Sequence, residues 1–187
     1  MDFLYQLKKL KRGPAIMLQK DIGIFLAYTN IDRNSKVLDA GSGTGILTCF
    51  LAKFCKKVYS YDNRKEFLEL AKENARSLNL KNITFRQQDI FESIQDKNLD
   101  LITLDLKDAH LALENCLAAL KPEGYLAAYM PNISQVQEFV NEARKQFKVI
   151  KVLETIERPW IVEERRLRPE NVILGHTGFI VILKKTQ

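Results

Sequence analysis

Residues 37–45 read Val-Leu-Asp-Ala-Gly-Ser-Gly-Thr-Gly, and they limit what this chain can fold into more than any other stretch. Lys36–Ala40 is a short apolar run carrying one carboxylate, Asp39, which reads as a buried parallel strand. Gly41, Gly43 and Gly45 follow at alternate positions with Ser42 and Thr44 between them, and an apolar-periodic helix comes next. A strand, a glycine turn and a helix in that order let bare backbone meet a nucleotide-like ligand, since glycine has no Cβ to hold it off. The spacing is G-x-G-x-G and not the dinucleotide fingerprint G-x-G-x-x-G. It suits a ligand without phosphates. A glycine-rich turn in an unrelated α/β protein is the alternative these residues leave open.

From residue 36 onward strand and helix patterns alternate. After the first strand the sequence predicts a helix over 45–56, a strand over 58–61, a helix over 65–78, and strands at Ile83–Gln87 and Leu99–Leu104. A helix over 110–120 is expected to stop at Lys121-Pro122-Glu123-Gly124, ahead of a strand over 125–130. Ser134-x-x-Gln137 reads as a capping box opening a helix with Val136, Phe139, Val140, Ala143 and Phe147 on one stripe. Two last strands, 149–157 and 178–183, flank a basic loop with Arg165, Arg166 and Arg168. The expected fold is α/β: a doubly wound, Rossmann-like sheet of seven strands, mostly parallel, with an antiparallel last strand. One domain is expected, with residues 1–19 as an N-terminal basic or docking segment and 20–187 as the core.

In that N-terminal segment Phe3, Leu4, Leu7 and Leu10 alternate with Lys8, Lys9, Lys11 and Arg12. It reads equally as a basic arm for phosphates and as a docking helix with its lysines in water; Gly13-Pro14 ends it. Residues 15–18 are a short connection to a helix opening at Gln19-Lys20-Asp21 and running to about residue 30, with Asp21 near its positive end. No apolar run reaches membrane-spanning length and the N-terminus lacks a signal peptide's apolar core, so a cytoplasmic protein without a membrane partner is expected. Cys49, Cys55 and Cys116 are odd in number and lack C-x-x-C spacing, which points to reduced structural thiols and no metal site. A net charge of +6 permits a polyanionic partner.

Ligands of such sheets lie outside the carboxyl ends of the strands. Asp62 ends the second strand, twenty-one positions after Gly41, near the spacing at which an acid accepts ribose hydroxyls. Its neighbour Asn63 is equally able to cap the helix that follows. Asp89, in Gln88-Asp89-Ile90, and Asp105, in Leu104-Asp105-Leu106, end the third and fourth strands, while Asp108 reads as a helix cap. His110 reads as a solvated residue at a helix start, with contact to substrate as the alternative, and His176 reads as structural.

The glycine stretch with its strand-end acid is similar to the S-adenosylmethionine-binding motif of class I methyltransferases. More specifically, the chain resembles the tRNA (adenine-58-N1)-methyltransferase family, in its bacterial and archaeal single-subunit branch. The matches run in order from Arg12-Gly13-Pro14 and Lys20-Asp21 through VLDAGSGTGILTCFLA, YSYDNR and LDL. They continue with LKPEGYLAAYMPNISQV, RLRP and GHTGF. The resemblance implies S-adenosylmethionine as cofactor, held by Asp39, Gly41, Ser42, Gly43, Thr44, Gly45, Asp62, Asn63, Gln88, Asp89 and Ile90. In it Asp39 pairs, directly or through water, with the cationic methionyl moiety, and Asp89 meets the adenine amine. The implied reaction is methylation of N1 of an adenine in the T-loop of tRNA, with Asp105 accepting from the exocyclic amine of an extruded base. Tyr129, Asn132 and Gln135 would line the acceptor side with His176 and Thr177 nearby, and Arg165 and Arg168 would meet phosphates. A homotetramer is the family's common assembly.

Three departures accompany the resemblance. About a dozen residues precede Gly13 where relatives usually carry a further N-terminal domain, Leu18-Gln19 replaces Tyr-Pro, and Lys107-Asp108-Ala109-His110 replaces an acidic-proline-aromatic run. Two rival readings stand beside it: a small-molecule methyltransferase of the corrin-biosynthesis kind, and a non-catalytic RNA-binding subunit.

Overall fold

The computed structural model describes residues 2–13 and 17–186. Pro14 and residues 15–16, on which the expected stop of the first helix and the following connection rest, lie outside the described residues. Nine strands are described: β1 (Lys36–Ala40), β2 (Lys57–Asp62), β3 (Ile83–Gln87), β4 (Leu99–Leu104), β5 (Leu120–Met130), β6 (Phe147–Leu153), β7 (Trp160–Glu163), β8 (Arg166–Pro169) and β9 (Phe179–Lys185). The helices are α1 (Phe3–Lys8), α2 (Gln19–Tyr28), α3 (Ile46–Phe54), α4 (Lys65–Ser77), α5 (Leu113–Ala119) and α6 (Ile133–Ala143). Seven strands form one sheet in the order β3-β2-β1-β4-β5-β9-β6. Only β9 runs antiparallel to its neighbours β5 and β6, which is the expected architecture. Strand order reverses between β1 and β4. The connections leaving those two strands diverge, opening a crevice at their carboxyl ends.

Both faces of the sheet are covered, so period two along each strand divides its residues between two cores. On one face Leu38, Ala40, Ile102 and Leu104 pack with Cys116 and Phe139. On the other, Val37 and Leu101 pack with Ile22, Phe25, Cys49 and Leu51. Asp39 and Thr103 share the parity of Val37 and Leu101, so they point at α3. This parity places a carboxylate inside the core.

The N-terminal segment docks rather than dangles: Leu7 and Leu10 are buried in the second core. Beyond it Asn74 of α4 holds the chain down, accepting from the Lys11 N–H at 3.0 Å and donating to the carbonyls of Lys11 (3.0 Å) and Thr44 (2.9 Å). One amide thus ties the N-terminal segment to the glycine turn. Cys49, Cys55 and Cys116 are free thiols in the interior, and burial pushes Cys49 up to about 12 and Cys55 up to about 11.

Five sequence expectations need correction. The helix predicted over 110–120 is a 3-10 turn, Ala109–Ala112, running into α5. Lys121-Pro122-Glu123-Gly124 is no terminator but a bulge inside β5, since Leu99 pairs with Leu120 and Leu101 with Tyr125; Glu123 takes φ +63° to make it. The box opening α6 is Asn132/Gln135, two residues earlier than Ser134/Gln137, because β5 ends at Met130 and the helix starts at once. Phe147, assigned to the α6 stripe, begins β6, which stops at Leu153 rather than 157. The basic loop is a hairpin, β7–β8, with Glu163 paired to Arg166. Its strands are short and mostly exposed, so no apolar alternation announces them.

Candidate active site

The turn after β1 is built for close approach. Gly41 takes φ +76°, and a Cβ there would lie 2.3 Å from the Asp105 carbonyl oxygen, so the chains leaving β1 and β4 touch at this residue. A hydroxyl ladder supports the turn from below. Thr48 of α3 donates to Asp39 at 2.5 Å, Ser60 to Ser42 at 2.7 Å, and Ser42 to the Tyr61 carbonyl at 2.8 Å. Thr103 donates to the other Asp39 oxygen at 2.8 Å. Asp39 is therefore 1% exposed with both oxygens engaged. Desolvation outweighs these hydrogen bonds, and with the nearby Asp62 charge it pushes the carboxyl up to about 6. With both oxygens engaged inside the protein, Asp39 presents a negative field to the crevice and no free oxygen.

Two cavities meet at Gly41 and Asp105. The larger, about 270 Å³, is lined by Asp62, Asn63, Arg64, Gln88, Asp89, Ile90 and Asp105 among others. The smaller, about 50 Å³, is lined by Met17, Asp39, Ser42, Gly43, Thr44 and Asp105 among others. Asp62 is buried and accepts from the Gly43 N–H at 2.9 Å and the Arg64 N–H at 3.0 Å. The Arg64 guanidinium grips the same carboxylate through Nε (3.0 Å) and Nη2 (3.2 Å), and its far face lies 4.0 Å from the centre of the Phe67 ring. Asp89 accepts from the Phe91 N–H at 2.9 Å, a turn contact that engages only one oxygen closely; Asn63 reaches the other at 3.4 Å. Gln88 donates to Ser93, while its Oε1 is buried with no partner among the described residues. An orphaned acceptor in this wall suits an amine donor.

Asp105 is exposed and opens to the crevice where the two cavities meet. Desolvation first and the Asp39 charge second push it up to about 6, with Arg64 acting in the opposite direction. Beyond it stands Tyr129, whose ring leaves no room for a side chain at residue 178: a Cβ on Gly178 would come within 2.5 Å of it. Burial, then the charges of Asp21 and Asp105, push the Tyr129 phenol upward against the opposing effect of the Thr177 hydroxyl.

Thr177 is fixed by a buried hub that sequence reasoning missed. Lys20 donates to Asp21 (2.7 Å), to the Thr155 carbonyl (2.8 Å) and hydroxyl (3.1 Å), and to Thr177 (2.7 Å). Thr177 in turn donates to Asp21 at 2.8 Å, and Thr155 donates to it as well. Lys20-Asp21 stands out in the sequence only as a motif match. A charged pair in the first turn of a helix looks solvated, and nothing in the sequence marks Thr155.

The other expected acceptor residues are more peripheral. Gln135 accepts from the Asn132 N–H at 3.3 Å and donates to the Lys107 carbonyl at 3.1 Å, tying the start of α6 to the chain after β4. His176 lies between Glu154 (Nδ1, 3.0 Å) and the Pro131 carbonyl (Nε2, 3.0 Å). Both partners are acceptors, so the doubly protonated ring satisfies them best, and its pKa is raised. Arg165 and Arg168 sit on the hairpin, away from either cavity, and Arg168 donates to Asn171 at 2.7 Å. His110, in the 3-10 turn before α5, faces Glu138 of α6 at 3.6 Å and lines neither cavity. Among the described residues no cluster of three metal-binding side chains occurs, and no helix is long and apolar enough to cross a membrane.

A methyltransferase-domain family model matches residues 31–170. The chain is 32% identical over 209 aligned residues to the tRNA (adenine(57)-N(1)/adenine(58)-N(1))-methyltransferase of Methanocaldococcus jannaschii, covering 95% of this chain and 74% of that one. It is 34% identical over 182 residues to a tRNA (adenine(58)-N(1))-methyltransferase of Thermus thermophilus, covering 94% and 71%. The chain belongs to the tRNA (adenine-58-N1)-methyltransferase family. A crystal structure described as an S-adenosylmethionine-dependent O-methyltransferase of Thermotoga maritima superposes with a TM-score of 0.93 at 28% identity, over 100% of this chain and 72% of that one. That structure thus shares the fold of the described residues from the N-terminal docking segment to the antiparallel strand β9. The matched domain contains Asp39, Asp62, Asp105 and Tyr129, while Thr177 and Gly178 fall beyond its limit.

Proposed function

We propose that this chain is a cytoplasmic methyltransferase that uses S-adenosylmethionine to methylate N1 of an adenine in the T-loop of tRNA, near position 58. The observation that carries this reading is Asp105, a carboxylate open to the crevice, touching the glycine turn through its own carbonyl and standing between the cofactor cavity and Tyr129. When bound, the cofactor supplies an electrophilic methyl group. The chain's own residues bind and orient. The glycine turn of 41–45 takes the amino-acid part, Asp62 the ribose hydroxyls, and Asp89 with the unpartnered Gln88 Oε1 the adenine amine.

The target adenine must leave its stack, which costs a few kcal/mol, and Tyr129 offers it a ring to lie against. N1 of adenine carries an in-plane lone pair, so no base would be needed to deprotonate it. Transfer of the methyl group from sulfonium to N1 would release the neutral thioether and leave positive charge on the adenine. An ionised Asp105 accepting from the exocyclic N6–H stabilises that charge and fixes the ring's orientation. With its carboxyl pushed up to about 6, Asp105 is mostly ionised at neutral pH. A net charge of +6 favours the tRNA phosphates, with Arg165 and Arg168 on the hairpin as the expected contacts. One catalytic domain, with residues 1–19 as its docked segment and assembly as a homotetramer, completes the reading.

Two tRNA transcripts, one with adenine and one with guanine at position 58, test it. Methyl incorporation into the first and not the second supports the reading. Equal incorporation into both would place the target elsewhere.

A further inference from the structure

The Arg64 guanidinium holds the part of Asp62 that a ribose would need. A carboxylate offers about four lone-pair sites, two on each oxygen. On Asp62 Oδ1 they are taken by the Arg64 N–H and by Arg64 Nε, both at 3.0 Å. On Oδ2 they are taken by the Gly43 N–H at 2.9 Å and by Arg64 Nη2 at 3.2 Å. The two backbone donors belong to the turns themselves and cannot withdraw without undoing them. The two guanidinium donors can. They fall one on each oxygen, the pattern in which the two hydroxyls of a ribose diol would also donate.

We infer that Arg64 competes with the ribose diol of a nucleoside cofactor for Asp62, and so sets how tightly that cofactor is held. This rests on the cofactor reading above and adds to it a residue that opposes binding. The two partners differ in freedom, which is what makes the exchange feasible. The Asp62 side chain is 2% exposed and anchored by two amides, whereas the Arg64 side chain is 51% exposed. Arg64 also has a second hold, the Phe67 ring at 4.0 Å, over which it can stay while releasing the carboxylate. Asp89 and Asp105 line the same opening and would favour a released guanidinium near its mouth. Each diol that binds must therefore replace two charge-assisted hydrogen bonds, not simply add two to an idle carboxylate.

The test is titration calorimetry of S-adenosylhomocysteine into the wild type, Arg64→Met and Arg64→Lys, at two salt concentrations. Arg64→Met keeps the apolar stem over Phe67 and removes the fork. It should bind S-adenosylhomocysteine roughly three- to tenfold more tightly, the range expected for a half-exposed ion pair. Arg64→Lys, a point charge without the bidentate fork, should fall between the two. Added salt should tighten binding to the wild type and leave Arg64→Met unchanged, because only the former has an ion pair to screen. Equal or weaker binding by Arg64→Met overturns the inference and makes Arg64 a bystander or a cofactor ligand. Binding by none of the three proteins would overturn the cofactor reading itself, a different result from equal binding by all.

Discussion

The two walls of the crevice are made in opposite ways. The glycine-turn wall is local. Asp39, Ser42, Thr48 and Ser60 lie within two dozen positions of one another and interlock through hydroxyls, with Thr103 the one distant partner. The acceptor wall gathers Lys20, Asp21, Asp105, Tyr129, Thr155 and Thr177 from almost the full length of the chain around one buried ion pair. A wall of short-range contacts is completed as soon as its βα unit forms. A wall of long-range contacts forms only when the sheet is closed by β9, so its geometry reports on the whole fold. In the proposed function the first wall would hold the cofactor and the second the acceptor base.

The sharpest break between the walls is Asp105→Ala. Asp105 touches both cavities, yet its proposed bond is to the acceptor base, so turnover should fall about 10³-fold while affinity for S-adenosylhomocysteine changes less than about threefold. Single-turnover methylation and calorimetry on the same preparation separate the two. An equal loss in both would move Asp105 to the cofactor wall. In the wild type, kcat/KM should decline as pH falls through about 6, when Asp105 takes up its proton.

Lys20→Met attacks the other wall's centre. It leaves Asp21, which is fully buried, without its cation, at a cost of about 3–5 kcal/mol in urea unfolding. Folded protein should retain cofactor binding better than methyl transfer, since the hub supports Thr177 and not the glycine turn. A loss of less than about 1 kcal/mol would show that Lys20 is not the partner Asp21 depends on.

Asp39→Asn sharpens the comparison through its sign. The folded-state carboxyl lies at about 6 against 3.8 for an ordinary aspartate, so the folded protein holds that proton more tightly. Its contribution to stability is full below 3.8 and is lost as pH rises to about 6. Relative to wild type, the asparagine variant should gain roughly 1–3 kcal/mol between about pH 4 and 7.5 while losing cofactor affinity. A constant difference across that range would mean Asp39 titrates normally.

The smallest effect belongs to His176 at the rim. Its pKa, read by NMR, should lie above 6.5 and drop in Glu154→Gln, because Glu154 favours the imidazolium most strongly. The rim's contribution is complete below 6.5 and fades as pH rises through the raised value. An unchanged titration in the variant would detach His176 from Glu154.

The same contrast explains what can be read from the sequence. The strand–turn–helix at 36–54 carries its own instructions, in a short, continuously buried apolar run and in glycines where φ is positive, and β1, like β3 and β4, matches its predicted limits. The Lys20–Asp21–Thr155–Thr177 hub has no local signature, because its charges are hidden by partners up to 157 positions away. The β7–β8 hairpin escapes for another reason: its exposed Val162 and Leu167 follow neither period cleanly. Asn132 reads as a substrate residue and Ser134 as the cap, since a capping pattern two residues out of register is equally good on paper.

The product of the reaction is the most direct test of the proposed function. Bulk tRNA incubated with the protein and methyl-labelled S-adenosylmethionine, digested to nucleosides and separated, should place the label in 1-methyladenosine. Label in a different nucleoside, or none in RNA from a protein that binds S-adenosylhomocysteine, would contradict it.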